Sequence, residues 1–193
     1  PVKAKPVAAP RAIDVEIVEG TWVAGRIEPG DEVEVWREGP RRDGPAGCDR
    51  YSLAPAETLV IWTLPSSVDE LTRVLQRVQP TSVWIVGEDP GTDDPQQFVQ
   101  RLGGLVKYAL SKREGEVQIA TLASAMAHRE VTIRLALNWL EAKGDVKWEE
   151  VWDGIRLSAA SRPDPERQRE YLTQLKTSIE ETRRYRTYLG EDR

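Results

Sequence analysis

The chain has 193 residues, 39% hydrophobic and 31% charged, with a formal net charge of −5. That is enough apolar material for one large or two small globular domains, and the acidic balance excludes a surface that attracts nucleic acid or anionic lipid everywhere, leaving room only for local basic patches. One cysteine, Cys48, in a Gly/Pro-rich loop, excludes an internal disulfide and a cysteine zinc site. No apolar run approaches the roughly 20 residues that span a bilayer, and the start lacks a signal-peptide core, so the expected location is the cytoplasm, with no membrane partner. The chain starts at Pro1 and its sole methionine is Met126, so it reads as a piece of a longer protein.

Residues 1–11 alternate Pro, Ala and Lys without an apolar face and read as a linker. Residues 13–18 alternate apolar and acidic side chains, the pattern of a half-exposed strand, and Val33-Glu34-Val35-Trp36 repeats it after a Pro29-Gly30 turn. A loop rich in Gly, Pro and Arg fills 38–50. Residues 58–63 are then nearly all apolar, as in a strand covered on both faces. Ser66 or Ser67 can cap the next helix, whose stripe is Leu71, Val74, Leu75 and Val78, with Pro80 closing it. Residues 82–87 form a second buried-type strand, completing a β-α-β unit expected to be parallel and right-handed. A helix over 95–112 turns Phe98, Leu102, Leu105, Val106 and Ala109 inward, and Gly103-Gly104 inside it predicts close packing against a neighbour. Residues 12–112 therefore predict a small Rossmann-like α/β layer domain.

Residues 113–160 predict a winged helix. Val117-Gln118-Ile119 is an edge strand, and Leu122, Ala123, Met126 and Ala127 mark a first helix. A second helix over 131–143 buries Ile133, Ala136, Leu137 and Leu140 and stops at Gly144. A hairpin of 146–148 and 155–157 turns at Asp153-Gly154. A DNA reader of this shape places polar and basic residues on the outward face of its second helix. Here that face is predicted to be Thr132, Arg134, Leu135, Asn138, Trp139 and Glu141, and the exposed Leu135 and Trp139 point to protein contact. The final segment, 161–193, predicts an amphipathic helix with Pro165 near its start and Tyr171, Leu172, Leu175, Ile179 and Thr182 along one stripe. The fold class is thus α/β, a Rossmann-like layer domain followed by a winged-helix module and a C-terminal amphipathic helix.

Asp89, Asp93 and Asp94 share the loop leaving the second buried strand, where α/β folds hold metal or phosphate. Asp93 or Asp94 ahead of Pro95 is read instead as a helix cap, and Asp89-Pro90-Gly91 as a turn. His128, the one histidine, is expected to be solvent-exposed or to cap a helix, because no acid is clearly placed to orient its ring. Two clusters are basic, the 37–50 loop with Arg41-Arg42 and Arg50-Tyr51, and the tail Arg183-Arg184-Tyr185-Arg186-Thr187-Tyr188, whose interleaved tyrosines suit base stacking. The candidates for nucleic-acid contact are Arg41, Arg42, Arg129, Arg134, Arg183, Arg184, Tyr185 and Arg186.

The ordered string Val35-Trp36-Arg37-Glu38-Gly39, then 55–63, then Gly87-Glu88-Asp89-Pro90, then Leu105-Val106-Lys107-Tyr108-Ala109-Leu110 and the winged helix resembles the C-terminal region of some bacterial RecJ proteins. These are single-strand-specific 5′ to 3′ DNA exonucleases of the DHH phosphoesterase superfamily. The resemblance covers most of the chain after the linker. It implies a parent in DNA recombination and repair, with manganese or magnesium in the nuclease core. No catalytic residue carries over, because the chain has no Asp-His-His triplet, one histidine cannot supply the family's ligands, and the glycine-rich substrate motif is absent. What remains is an accessory domain without cofactor, whose implied partners are the nuclease core in cis, a helicase or a single-stranded DNA-binding protein, and single-stranded DNA through the parent. A rival reading has the tail and the Arg41-Arg42 loop guide single strands to the core. A third, a free-standing hydrolase holding metal at Asp89, Asp93 and Asp94, fits the residues least.

Overall fold

The computed structural model describes residues 12–24, 32–40, 43–159 and 162–191, so the 1–11 linker, Arg41 and Arg42 lie outside the described residues. Four strands, β1 (Asp14–Ile17), β2 (Val33–Trp36), β3 (Thr58–Thr63) and β4 (Ser82–Glu88), form an all-parallel sheet in the order β1-β4-β3-β2. With helices α1 (Gly20–Ala24), α2 (Val68–Val78) and α3 (Pro95–Lys112), this is an α/β arrangement compatible with a Rossmann-like layer.

The apolar run of β3 is explained by its central position. Leu59 and Ile61 pack with Val74 and Val78 of α2 on one face, while Val60 and Trp62 pack with Val23 and Val35 on the other. The edge strand β1 differs from the half-exposed strand expected for it. All four residues are exposed, and Ile13, Val15 and Ile17 remain open to solvent although Val15 pairs with the buried Val83 of β4.

Local signals set the helix boundaries. Ser67 caps α2 by accepting the Glu70 amide at 3.3 Å, and Gln79 ends the helix in a left-handed conformation before Pro80. Asp94 caps α3 by accepting the Gln97 amide at 2.8 Å, with Pro95 at the first helical position. The expected close approach at Gly103-Gly104 does not occur, because a Cβ at either position would meet nothing within 4 Å. These glycines sit away from the packed face of α3, which is carried by Phe98, Leu102, Val106 and Ala109.

The chain continues through β5 (Glu116–Val117), α4 (Ile119–Met126), α5 (Glu130–Lys143), β6 (Lys147–Val151), β7 (Gly154–Ser158) and α6 (Pro165–Glu191). The strands form an antiparallel sheet in the order β5-β7-β6. Gly115 is required where β5 begins, since its φ is +82° and a Cβ would fall 2.1 Å from the Leu157 carbonyl oxygen. The largest apolar cluster unites the inner face of α3 with α4, α5, β7 and Leu175 and Ile179 of α6.

Helix α6 runs antiparallel along α5. The Asp164 amide donates to the Ala142 carbonyl at one end, the Ser178 and Thr132 hydroxyls meet at 2.7 Å in the middle, and Arg186 reaches the Ala127 carbonyl at the other. Thr132, predicted to face outward, is therefore fully buried.

Replacing the α3 cap, Asp94→Ala, should lower stability by about 0.5–2 kcal/mol, read as a shift in the urea midpoint. An unchanged midpoint would show that Pro95 and the packed face of α3 fix its start unaided.

Candidate functional site

Buried charges collect where the parallel sheet meets the helical half. Arg186 of α6 donates from Nε to the Leu64 carbonyl at the end of β3 (3.2 Å), from Nη1 to Asp93 (2.5 Å) and from Nη2 to the Ala127 carbonyl. Arg50 donates from Nε to Glu38 Oε1 (2.8 Å) and from Nη2 to Glu38 Oε2, pairs through Nη1 with Glu70 of α2 (3.1 Å), and reaches the His128 carbonyl (3.3 Å). Thr63 completes this side, its hydroxyl accepting the Glu38 amide at 3.1 Å. The two guanidiniums thus grip successive carbonyls of the α4–α5 turn. Burial works against the charge on Arg50, but Glu38 and Glu70 outweigh it and hold the group above its ordinary range. For Arg186 burial wins over Asp93 and the balance is downward.

His128 sits inside this seam, fully buried and not exposed as expected from the sequence. Its Nε2 lies 3.0 Å from Asp93 Oδ1 and 3.2 Å from the Thr92 carbonyl, and Phe98 stands edge-on at a centroid distance of 4.9 Å. Both neighbours of Nε2 are acceptors, so the proton belongs there and Nδ1 is bare, in accord with its lack of a partner. Burial pushes the pKa of the ring below its ordinary value more strongly than Asp93 raises it, so the contact is a hydrogen bond from a neutral imidazole and not an ion pair. A ring with no exposed surface cannot exchange protons with a substrate. Its chemistry is to lock the α4–α5 turn onto the loop after β4.

The three aspartates of that loop have separate tasks. Asp89 accepts the Gly91 amide at 2.8 Å in a turn, Asp93 serves His128 and Arg186, and Asp94 caps α3. Among the described residues no group of three or more His, Cys, Asp or Glu is placed to hold a metal ion.

The arginines assigned to nucleic acid from the sequence are scattered. Arg186 is buried and is not a surface contact. Arg183 and Arg184 pair with Glu180 on α6 at 2.7 and 2.9 Å, and Tyr185 beside them is half-buried. Arg129 donates to the Ser178 hydroxyl (3.0 Å) and to Glu181 (2.7 Å), and Arg134 pairs with Glu150 of β6. Leu135 and Trp139 are not an open face. Both are partly buried against the main cluster, with Lys143 held 5.5 Å from the Trp139 ring centroid. Asn138 accepts the Trp148 indole N–H at 3.1 Å and so faces the β6–β7 hairpin.

Two clefts flank the seam. One of about 660 Å³ lies over the ends of β3 and β4 and is lined by Asp89, Asp94, Gln97, Lys176 and Arg183 among others. The other, about 520 Å³, separates α2 from the start of α5. No family model, curated protein or solved structure matches the chain. Among the described residues no helix is long and apolar enough to cross a membrane.

Asp93→Ala should cost more than loss of the α3 cap, about 3–5 kcal/mol, because it leaves Arg186 charged and unpaired in the interior. Comparing its urea midpoint with that of Asp94→Ala tests the difference. The seam also predicts a pH dependence. His128 is held neutral in the folded chain, while in the unfolded chain it takes up a proton near its ordinary pKa of 6.5. Below that pH the unfolded state binds more protons, so stability should fall between pH 7.5 and 5.5, by at most about 1.4 kcal/mol per pH unit. No other histidine contributes. Urea midpoints across that window should flatten in His128→Asn, and an equal slope in the variant would assign the dependence to other groups.

Proposed function

We propose that this chain is a non-catalytic accessory module of a RecJ-like 5′ to 3′ single-stranded-DNA exonuclease, acting in recombination and repair through protein contact or packing on the nuclease core. The observation that carries the packing role is the laying of α6 along α5. The order of β5, α4, α5, β6 and β7 supports a winged-helix reading of this half, with β6 and β7 as the wing. In a winged helix that reads DNA, the second helix enters the major groove with free cations on its outward side. Here α6 occupies Arg129 and Thr132, and the wing occupies Arg134 through Glu150. Inserting α5 into a groove would require displacing both. Leu135 and Trp139 keep part of their surface open beside the covered face, and a protein contact is proposed there.

The RecJ assignment rests on the order of the segments from Val35 to the winged helix. On this reading the parent is cytoplasmic and its nuclease core supplies the manganese or magnesium. A helicase or single-stranded DNA-binding protein is the proposed partner in trans. His128 and Asp93 are committed to the seam, which supports a role outside the chemistry.

Two measurements test the reading. The full reading frame should encode an Asp-His-His motif upstream of this segment, and a frame without one would overturn the family assignment. The purified chain should leave labelled single-stranded DNA intact with manganese or magnesium. Degradation that follows the protein through purification and stops with chelator would overturn the accessory role.

A further inference from the structure

Arg129 and Arg134, at the start of α5, open onto the cleft of about 520 Å³ whose other wall is α2, where they meet Arg73 and Arg77. Four cations from two helices converge there in a chain of net charge −5. Two donors at this place have no carboxylate to receive them. Arg77 donates to the Tyr51 carbonyl, a neutral group, and no described carboxylate pairs with it. The Nε of Arg129 is buried without a hydrogen-bond partner. Helix α5, 14 residues long, begins without a side-chain cap, and its first two residues, Glu130 and Val131, line the cleft at the positive end of its dipole.

The other charges in the cleft do not fill this deficit. Glu70 is held by Arg50 and Arg73 at 3.1 Å each, and Glu130 accepts the Tyr51 hydroxyl at 2.9 Å. Asp69, in the first turn of α2, lines the cleft without an ion pair among the described residues, and the lining still holds five arginines against three carboxylates. The pairs Arg134 with Glu150 and Arg129 with Glu181 have exposed carboxylates and are weak in water, so a better acceptor can replace them. A lone carboxylate offers two oxygens to this set, whereas a phosphate group offers at least three and more charge, and it matches the planar fork of arginine.

We propose that the cleft between α2 and α5 is a phosphate-binding site, taking free phosphate or a phosphomonoester end with Arg77, Arg129, Arg134 and the first amides of α5 as donors. This goes beyond the packing role and stands apart from it, since it is read on the chain alone.

The test is thermal melting of the full chain against inorganic phosphate, with ionic strength held constant by sodium chloride. Phosphate should raise the melting temperature saturably while chloride does not. Arg77→Gln and Arg134→Gln should each weaken the apparent affinity about tenfold, the loss of one charge-assisted hydrogen bond, and melt like the parent without phosphate. Arg183→Gln, elsewhere on α6, should leave affinity unchanged. Should Arg77→Gln fail to fold, Arg134→Gln carries the test alone, that side chain being 40% exposed. Oligothymidylates with a 5′-phosphate or a 5′-hydroxyl separate the sources: preference for the phosphorylated strand assigns a nucleic-acid end, and no response to either assigns free phosphate. An equal rise with chloride, or an equal loss in Arg183→Gln, would overturn the site.

Discussion

The guanidinium of Arg186 touches the end of β3, the loop after β4 and the turn between α4 and α5 at once, and Arg50 holds the neighbouring carbonyl of that turn from the opposite side. Apolar packing does not do this job. The sheet has its own two clusters around Leu59 and Val60, while the helical half has a third, built on α3 to α6. What joins them is a polar seam, and such a seam fixes geometry strictly, because a shifted charge in a dry interior finds no substitute partner. Each buried arginine is matched by a carboxylate and by carbonyls that the turn would otherwise leave unsatisfied.

That seam changes the meaning of the helical half. With α4, α5 and the β6–β7 hairpin alone, α5 would present one face to solvent. The seam draws in the far end of α6, and the length of α6 then lies over that face, with Ser178 and Thr132 sharing a hydrogen bond. The covered helix becomes a structural strut, and its open end, near Arg129 and Arg134, becomes one wall of a cleft.

The sequence made local order legible and long-range order only faintly so. The apolar run of β3, the caps at Ser67 and Asp94 and the stop at Gly144 all depend on neighbours within a few positions, and the structure has each of them. His128 was misplaced because its partners, Thr92 and Asp93, are close only after α3 has folded between them. Arg41 and Arg42 lie outside the described residues. Arg186 did leave a signal. Leu175, Ser178, Ile179 and Thr182 follow the helical repeat of the buried stripe on α6, and the next position on that stripe is Arg186. An arginine that continues an apolar stripe is placed to be buried and paired. The Arg/Tyr composition of the tail concealed that. Gly103-Gly104 shows the opposite error, a conspicuous dipeptide with no packing role.

Strand β1 precedes the other described strands yet pairs with β4, so its docking closes a loop that contains β2, β3 and α2. During folding the flank of β4 is an open template, and β1 reaches it only through a long chain closure, which is slow. Once seated, β1 is itself the outer edge, and it alternates Asp14 and Glu16 with Val15 and Ile17. Those two carboxylates act as gatekeepers: a second copy adding its own β1 there would bring like charges together, so the edge resists self-association while the sheet is completed.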